Sequence, residues 1–300
     1  MGLLDKIRQA LTGSEDQEDY FEMCWSTKGA GTYHEKIAFE PHNQFLVTQK
    51  RTYTEVHIFN TKGLLVRIIS LEELFPSIKK QNEEYIAGTK RFAYVPDCFG
   101  LDKEGVIYIG GRHDHLYVLS CQGDPKGEVL LHSEEWKEDI EVDNQGQIYI
   151  LYQSGGIIVA NTKGQLICRI PHLGVYNCKR LAVNSKREIY VAGASNATYG
   201  WANCIRKISS KGLPQRSVSS FTNIGHIAID AHDNLYVIEM NDGVLIKLDS
   251  KLDEIERLRL YYQDKRKKTG LSYAQSIALD GDGNCYILER NMILKFRLPF

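Results

Sequence analysis

The chain has 300 residues, 43% hydrophobic and 25% charged, with 25 Gly and 7 Pro, a composition that suits a globular protein burying a full core. Its 37 Lys and Arg against 38 Asp and Glu leave a net charge of −1, so no global basic field exists to hold nucleic acid or an anionic membrane. Nowhere does the sequence run through eighteen uninterrupted apolar residues, which excludes a spanning helix.

The first segment, MGLLDKIRQALTG, is interrupted by Asp5, Lys6, Arg8 and Gln9, so it lacks the apolar region of a secretory signal. Lys6 stands where a myristoylation motif needs Ser or Thr. Leu3, Leu4, Ile7 and Leu11 fall instead on one side of a short amphipathic helix ending near Gly13, and SEDQED (14–19) follows as an acidic tether. So short a helix is marginal alone, and its apolar face needs cover from the rest of the chain or from a partner's groove. The seven cysteines are odd in number and form no Cys-x-x-Cys pair, which suits reduced thiols and a cytoplasmic location.

From residue 20 onward the chain is a series of short apolar runs. YFEMCWST (20–27) has strand composition and precedes a repeat. The copies are IAFEPHNQFLV (37–47), FGLDKEGVIYI (99–109), IEVDNQGQIYI (140–150), LAVNSKREIYV (181–191), IAIDAHDNLYV (227–237) and IALDGDGNCYI (277–287). A third apolar run and a further turn follow five of them: FNTKG (59–63), LSCQG (119–123), ANTKG (160–164), ISSKG (208–212) and LDSKL (248–252). Each unit therefore reads strand, tight turn, strand, variable loop, strand, tight turn, strand, with Gly, Asn and Asp expected to supply positive φ at the turns. Tyr108, Tyr149, Tyr190, Tyr236 and Tyr286 mark the second strand at intervals of 41, 41, 46 and 50 residues.

Four-strand units at that period predict an all-β fold, a six-bladed β-propeller over residues 20–300, with 1–19 as helix and tether. The repeat resembles the NHL-type propeller unit, roughly apolar-Ala-apolar-Asp-x-x-Gly-x-apolar-Tyr-apolar, across residues 34–300. The sixth copy ends at MILKFRLPF (292–300), with no room for a fourth strand. The N-terminal strand in 20–27 is therefore expected to complete the last blade and close the ring.

Insertions gather on the face of the second-to-third strand loops and blade links: 70–91, 194–203 and 261–273. That face is the expected functional surface. Ser70 and Glu73 have capping-box spacing, predicting a short helix that Pro76 breaks. Five residues before the acidic turn position, the blades carry Glu35, Asp97, Glu138, Lys179, Gly225 and Gln275 around the channel mouth. Three carboxylates on consecutive blades suit a hard divalent cation such as Ca²⁺, Mg²⁺ or Mn²⁺, while Lys179 offers Glu138 an ion pair instead. Glu35 stands where gluconolactonase-like propeller hydrolases, which this stretch resembles, place a metal-binding Glu. The Asn and Asp ligands that resemblance implies on later blades have no counterparts here.

Arg112, His113 and His115 lie in the loop of blade two, where the imidazoles flank Asp114 as they would in a metal or acid–base site or a plain polar hairpin. Tyr199 and Trp201 are candidate aromatic anchors for a partner protein. Lys265, Arg266, Lys267 and Lys268, beside Tyr261, Tyr262 and Tyr273, form a basic loop suited to phosphate and stacking contacts. Some NHL propellers bind RNA through such a face. No nucleophile elbow, P-loop or dinucleotide glycine pattern occurs. The sequence thus points first to a non-catalytic scaffold docking another protein or complex. A metal-dependent lactonase- or esterase-like hydrolase and an RNA-binding module are the alternatives.

Overall fold

A computed structural model describes residues 25–26, 34–42, 44–50, 54–88, 94, 96–111, 113–131, 133, 135–171, 174–196, 202–264, 267–290 and 292–298. For 25, 26, 34, 35, 49, 50, 262–264, 267 and 268 the description is of the backbone alone. Six four-stranded antiparallel sheets form the six blades of a propeller. Their inner strands are His34–Glu40, Pro96–Leu101, Lys137–Val142, Tyr176–Val183, Ile224–Ile229 and Ala274–Leu279. The last blade takes its outer strand from the N-terminal side, where Trp25 pairs with Ile293 and Ser26 with Met292. Closure by the N-terminal strand is as the sequence predicts. The expected helix over 1–13 and its tether lie outside the described residues.

The repeat motif is a hydrogen-bonding device. In blade three, Asp143 Oδ1 accepts from the backbone N–H of Gln145 (2.8 Å) and Gln147 (2.9 Å), and Oδ2 from the Tyr149 hydroxyl at 3.3 Å. Asp102 in blade two and Asp280 in blade six repeat all three bonds. Asn60, Asn161 and Asp249 do the same backbone work in the second tight turn of their blades. Gly and, in one turn, Asp233 supply the positive φ as expected, but the Asn and Asp acceptors themselves do not: φ turns positive three residues later. Gly164 (φ 79°) is an example, where a Cβ would also meet the Leu130 carbonyl oxygen at 2.5 Å. Arg187, Asp233 and Leu252 occupy the equivalent place in their turns without being glycine.

Apolar residues from the two faces of each sheet form six buried clusters, one between each pair of neighbouring blades. The one that seals the ring joins Ile37, Leu46 and Phe59 of blade one to Ala278, Tyr286, Leu288 and Ile293 of blade six. Two irregularities recur. Each inner strand shifts register near its start, and five outer strands shift between their first and third residues. Such bulges bend a strand and interrupt its free edge.

The link from blade one to blade two is helical. Helix α1 (Leu71–Leu74) follows Ser70, whose side chain makes no capping bond, and Pro76 opens helix α2 (Pro76–Ile86) at its first turn. Pro76 therefore starts a helix rather than only ending one, because the first turn needs no N–H from that residue. Leu71, Phe75, Ile78 and Tyr94 bury this link against blade two. The link from blade five to blade six is a two-stranded ribbon, Tyr261–Asp264 with Lys267–Gly270. The expected loop is thus a hairpin.

Candidate functional site

The inner strands all run from the insertion-bearing face towards the tight-turn face, so equivalent residues form rings around the axis. The outermost ring is the one the sequence singles out. Glu138 meets Lys179 Nζ with both oxygens at 3.0 Å, so the ion-pair alternative is the contact present. Asp97 is 9% exposed. Gly225 allows a close approach, since a Cβ there would sit 2.3 Å from the Ala274 carbonyl oxygen. The Gln275 side-chain amide oxygen, Oε1, is buried without a hydrogen bond. Glu35 lies in the inner strand of blade one, its side chain outside the description. Among the described residues, no group of three or more His, Cys, Asp or Glu is placed to hold a metal ion.

One residue deeper, the ring is Lys36, Cys98, Asp139, Arg180, His226 and Ser276. Sequence reasoning missed it. Lys36 crosses from blade one to blade three, donating to Asp139 Oδ1 (2.7 Å), the Ile140 carbonyl (3.0 Å) and Glu141 Oε1 (2.8 Å). Asp139 Oδ2 accepts from the Leu181 N–H at 2.9 Å, and Ser276 Oγ accepts from the Ile37 N–H at 3.1 Å. This ring therefore cross-links blades one, three, four and six. Five of its members are no more than 4% exposed, so the channel is filled at this depth.

Charge in this layer is tightly constrained. Burial alone would lower the Lys36 pKa, but the Asp139 and Glu141 carboxylates outweigh it and raise it above that of an ordinary lysine. Burial raises the Glu141 carboxyl, which Lys36 opposes and Asp139 reinforces. His226 is held well below its usual 6.5 by burial, with Arg180 and Lys36 adding repulsion, so it is neutral. Arg180 turns back towards the outer ring, donating to the carbonyls of Gly225 (2.9 Å) and Lys179 (3.1 Å).

Below this layer the channel widens into a cup of about 220 Å³ lined by Lys36, Glu141, His226 and apolar residues of the five blades other than Glu141's own. Its wall is the ring Ala38, Gly100, Glu141, Ala182, Ala228 and Ala278. Five blades carry Ala or Gly there, and blade three carries Glu. That single departure in an otherwise small-residue column was visible in the sequence and marks the site. The next ring (Phe39, Leu101, Val142, Val183, Ile229, Leu279) is partly exposed in all six blades, so the cup opens on the tight-turn face.

The remaining candidates scatter. His113 shares a 2.7 Å contact with Gln81 of α2 through Nε2 and stacks on Tyr94 at 5.1 Å. His115 pairs with Asp114 through Nδ1 at 2.6 Å. The two imidazoles thus serve different neighbours. The His113 carbonyl, with that of Gly111 (3.2 Å), takes a bond from buried Lys137, whose pKa burial lowers to about 8. Lys267 and Lys268 stand in the ribbon opposite Asp264 and Gln263. Leu3, Leu4, Ile7, Leu11, Arg112, Tyr199, Trp201, Lys265 and Arg266 lie outside the described residues.

A closed ring of six antiparallel blades around a filled axis defines a six-bladed β-propeller. Two solved structures share the architecture. A Bacteroides caccae protein of unknown function aligns with a TM-score of 0.58 and 13% identity over 82% of each chain. A streptogramin B lyase aligns with a TM-score of 0.57 and 12% identity over 86% of this chain and 76% of its own. At such identities the likeness is one of fold. No family model and no curated protein sequence matches the chain. No helix among the described residues is long and apolar enough to cross a membrane.

Proposed function

We propose that the protein is an interaction scaffold that docks another protein through the blade-one side of the propeller. The supporting observation is where apolar surface is left uncovered. Of thirteen large apolar side chains exposed among the described residues, six fall within 64–86: Leu64, Leu65, Val66, Ile68, Tyr85 and Ile86. The first four belong to the outer strand of blade one and its turn, the last two to the end of α2. The outer strands of blades two, four and five carry Pro, Lys, Glu or Arg at most of their exposed positions, the residues that keep edges soluble, and that of blade three exposes two large apolar side chains, Leu166 and Ile167, against three in the blade-one strand. Apolar exposure along one outer strand, as at Leu65, Val66 and Ile68, marks an interaction surface. The amphipathic segment at 3–11 offers a second, tethered contact to the same partner.

The test is affinity capture with the full chain, its Val66→Lys/Ile68→Lys variant and a chain lacking residues 1–13. The expected result is a stoichiometric partner that the double variant loses while its melting temperature is unchanged. Equal recovery of the same proteins by the wild type and the double variant removes the reading.

A further inference from the structure

The outer strand of blade one, Leu65–Ser70, departs from its counterparts at positions that the pairing register makes specific. Leu65 stands opposite Phe59 and Ile68 opposite His57, so both lie on the face that turns towards blade six, where Phe59 packs. In blades two to five the position of Ile68 is taken by Glu128, Arg169, Ser217 and Arg257. That of Leu65 is taken by Pro125, Leu166, Pro214 and Glu254. Four blades thus put a polar side chain where blade one puts Ile68. Leu65 and Ile68 are each about half exposed, and Leu64 in the adjoining turn is more so.

A second observation says what lies within reach. Blade six takes its outer strand from the N-terminal side, and Trp25 stands there opposite Ile293, a member of the cluster between blades six and one. Trp25 lies nearer the tight-turn end than Ser26 does, and Leu64 and Leu65 lie at the same end of blade one. Leu3, Leu4, Ile7 and Leu11 supply an apolar side that so short a helix cannot sustain alone. Residues 12–24 span up to about 45 Å when extended, against roughly 10 Å between packed sheets. Charge agrees with this route. Lys62 in the turn of blade one and Arg297 at the tight-turn end of blade six make no ion pair among the described residues, and the tether brings Glu15, Asp16, Glu18 and Asp19.

We propose that residues 3–11 fold back onto this strip of blade one and cover it in the free protein, so that a partner reaches Leu65, Val66 and Ile68 only by displacing them. The docking needs no partner; the competition rests on the scaffold reading above. A short tether holds the segment at an effective concentration of about millimolar, so a weak contact suffices to keep the strip covered. Once displaced, the segment is free for its own contact with the partner. So small an element opens locally, well below the melting of the ring, and its loss leaves the melting temperature in place.

Hydrogen exchange of the full chain, read by mass spectrometry, tests the docking. Amides of 3–11 are expected to exchange at least tenfold more slowly than in Ile7→Asp or in Ile68→Arg, which gives blade one the residue type of blades three and five. Peptides covering 64–70 are expected to exchange faster in a chain lacking residues 1–13. Unchanged exchange of Leu235–Glu239 in blade five checks that each variant keeps the ring. Unprotected amides over 3–11 in the wild type, or protection that Ile68→Arg leaves intact, overturn the proposal. Protection that rises with protein concentration does so too, because the segment then docks on a second copy. Affinity capture at limiting partner concentration tests the competition, with the chain lacking 1–13 expected to recover at least threefold more partner than the full chain. Equal recovery by those two, with capture still lost in Val66→Lys/Ile68→Lys, overturns the competition alone. No partner from any form, with 3–11 protected, removes the scaffold reading and upholds the docking.

Discussion

Lys36 and Glu141 show how one departure from a repeat is absorbed by another. A carboxylate in the small-residue column is tolerated because a lysine from across the ring reaches it, and that lysine is itself fixed by Asp139, which is wholly buried. The three partners are not equivalent. Removing one member of a fully buried pair costs about 3–5 kcal/mol, whereas a partly exposed pair contributes about 0–1 kcal/mol. Lys36→Met is thus expected to destabilise by about 3–5 kcal/mol in urea denaturation, and Glu141→Ala by less than about 1 kcal/mol. Equal losses would mean that Glu141, not Asp139, is the main partner. His226 adds a pH dependence of definite sign. Its folded pKa lies below the unfolded value of 6.5, so the unfolded chain gains a proton that the fold refuses. Its effect is absent well above 6.5 and grows as pH falls below it, by up to about 1.4 kcal/mol per pH unit. Denaturation of the wild type and His226→Gln at pH 7.5, 6 and 5 should show the variant losing less stability on acidification. Parallel curves would place the imidazole in water.

Among the elements, what was legible in the sequence is what local chemistry decides. The turn acceptors Asp102, Asp143 and Asp280 act on N–H groups two and four residues away, so the motif, the hairpins and the blade count could be read directly. The edge pairing of 25–26 followed from arithmetic, because the sixth unit lacks a strand. Other features depend on partners far away in the chain. Leu252 takes positive φ without being glycine because it fills the cluster between blades four and five, where a glycine would leave a void. Arg187 takes it while pairing with Asp143 of the neighbouring blade at 3.2 Å. The site was half legible for the same reason. Counting back to one ring found Glu138 and Lys179, but Lys36, Asp139 and Glu141 meet only because the ring closes. No spacing along the chain announces a contact over 103 residues. The inner bulges are equally silent, being set by pairing register rather than composition.

For the whole molecule, closure is the property that the other scales rely on. Trp25 and Ser26 are the described residues that give the last blade its fourth strand. Trp25→Pro puts a residue that disrupts strand pairing into this two-residue edge, and a lost ladder bond costs about 1–3 kcal/mol, on the order of 2–4 °C per kcal/mol in a chain of this size. The melting temperature is expected to fall accordingly, and deletion of residues 1–18 to leave it unchanged. The reverse pattern would move the closing element upstream.

The filled layer around Lys36 and Asp139 makes the axis a blind well rather than a duct. Solutes exchange with the cup through one end, past the ring of Phe39, Leu101 and Ile229. Whatever occupies the insertion-bearing face neither gates that exchange nor competes for it. Immobilising the protein by that face is expected to leave the well in free diffusion with the solvent.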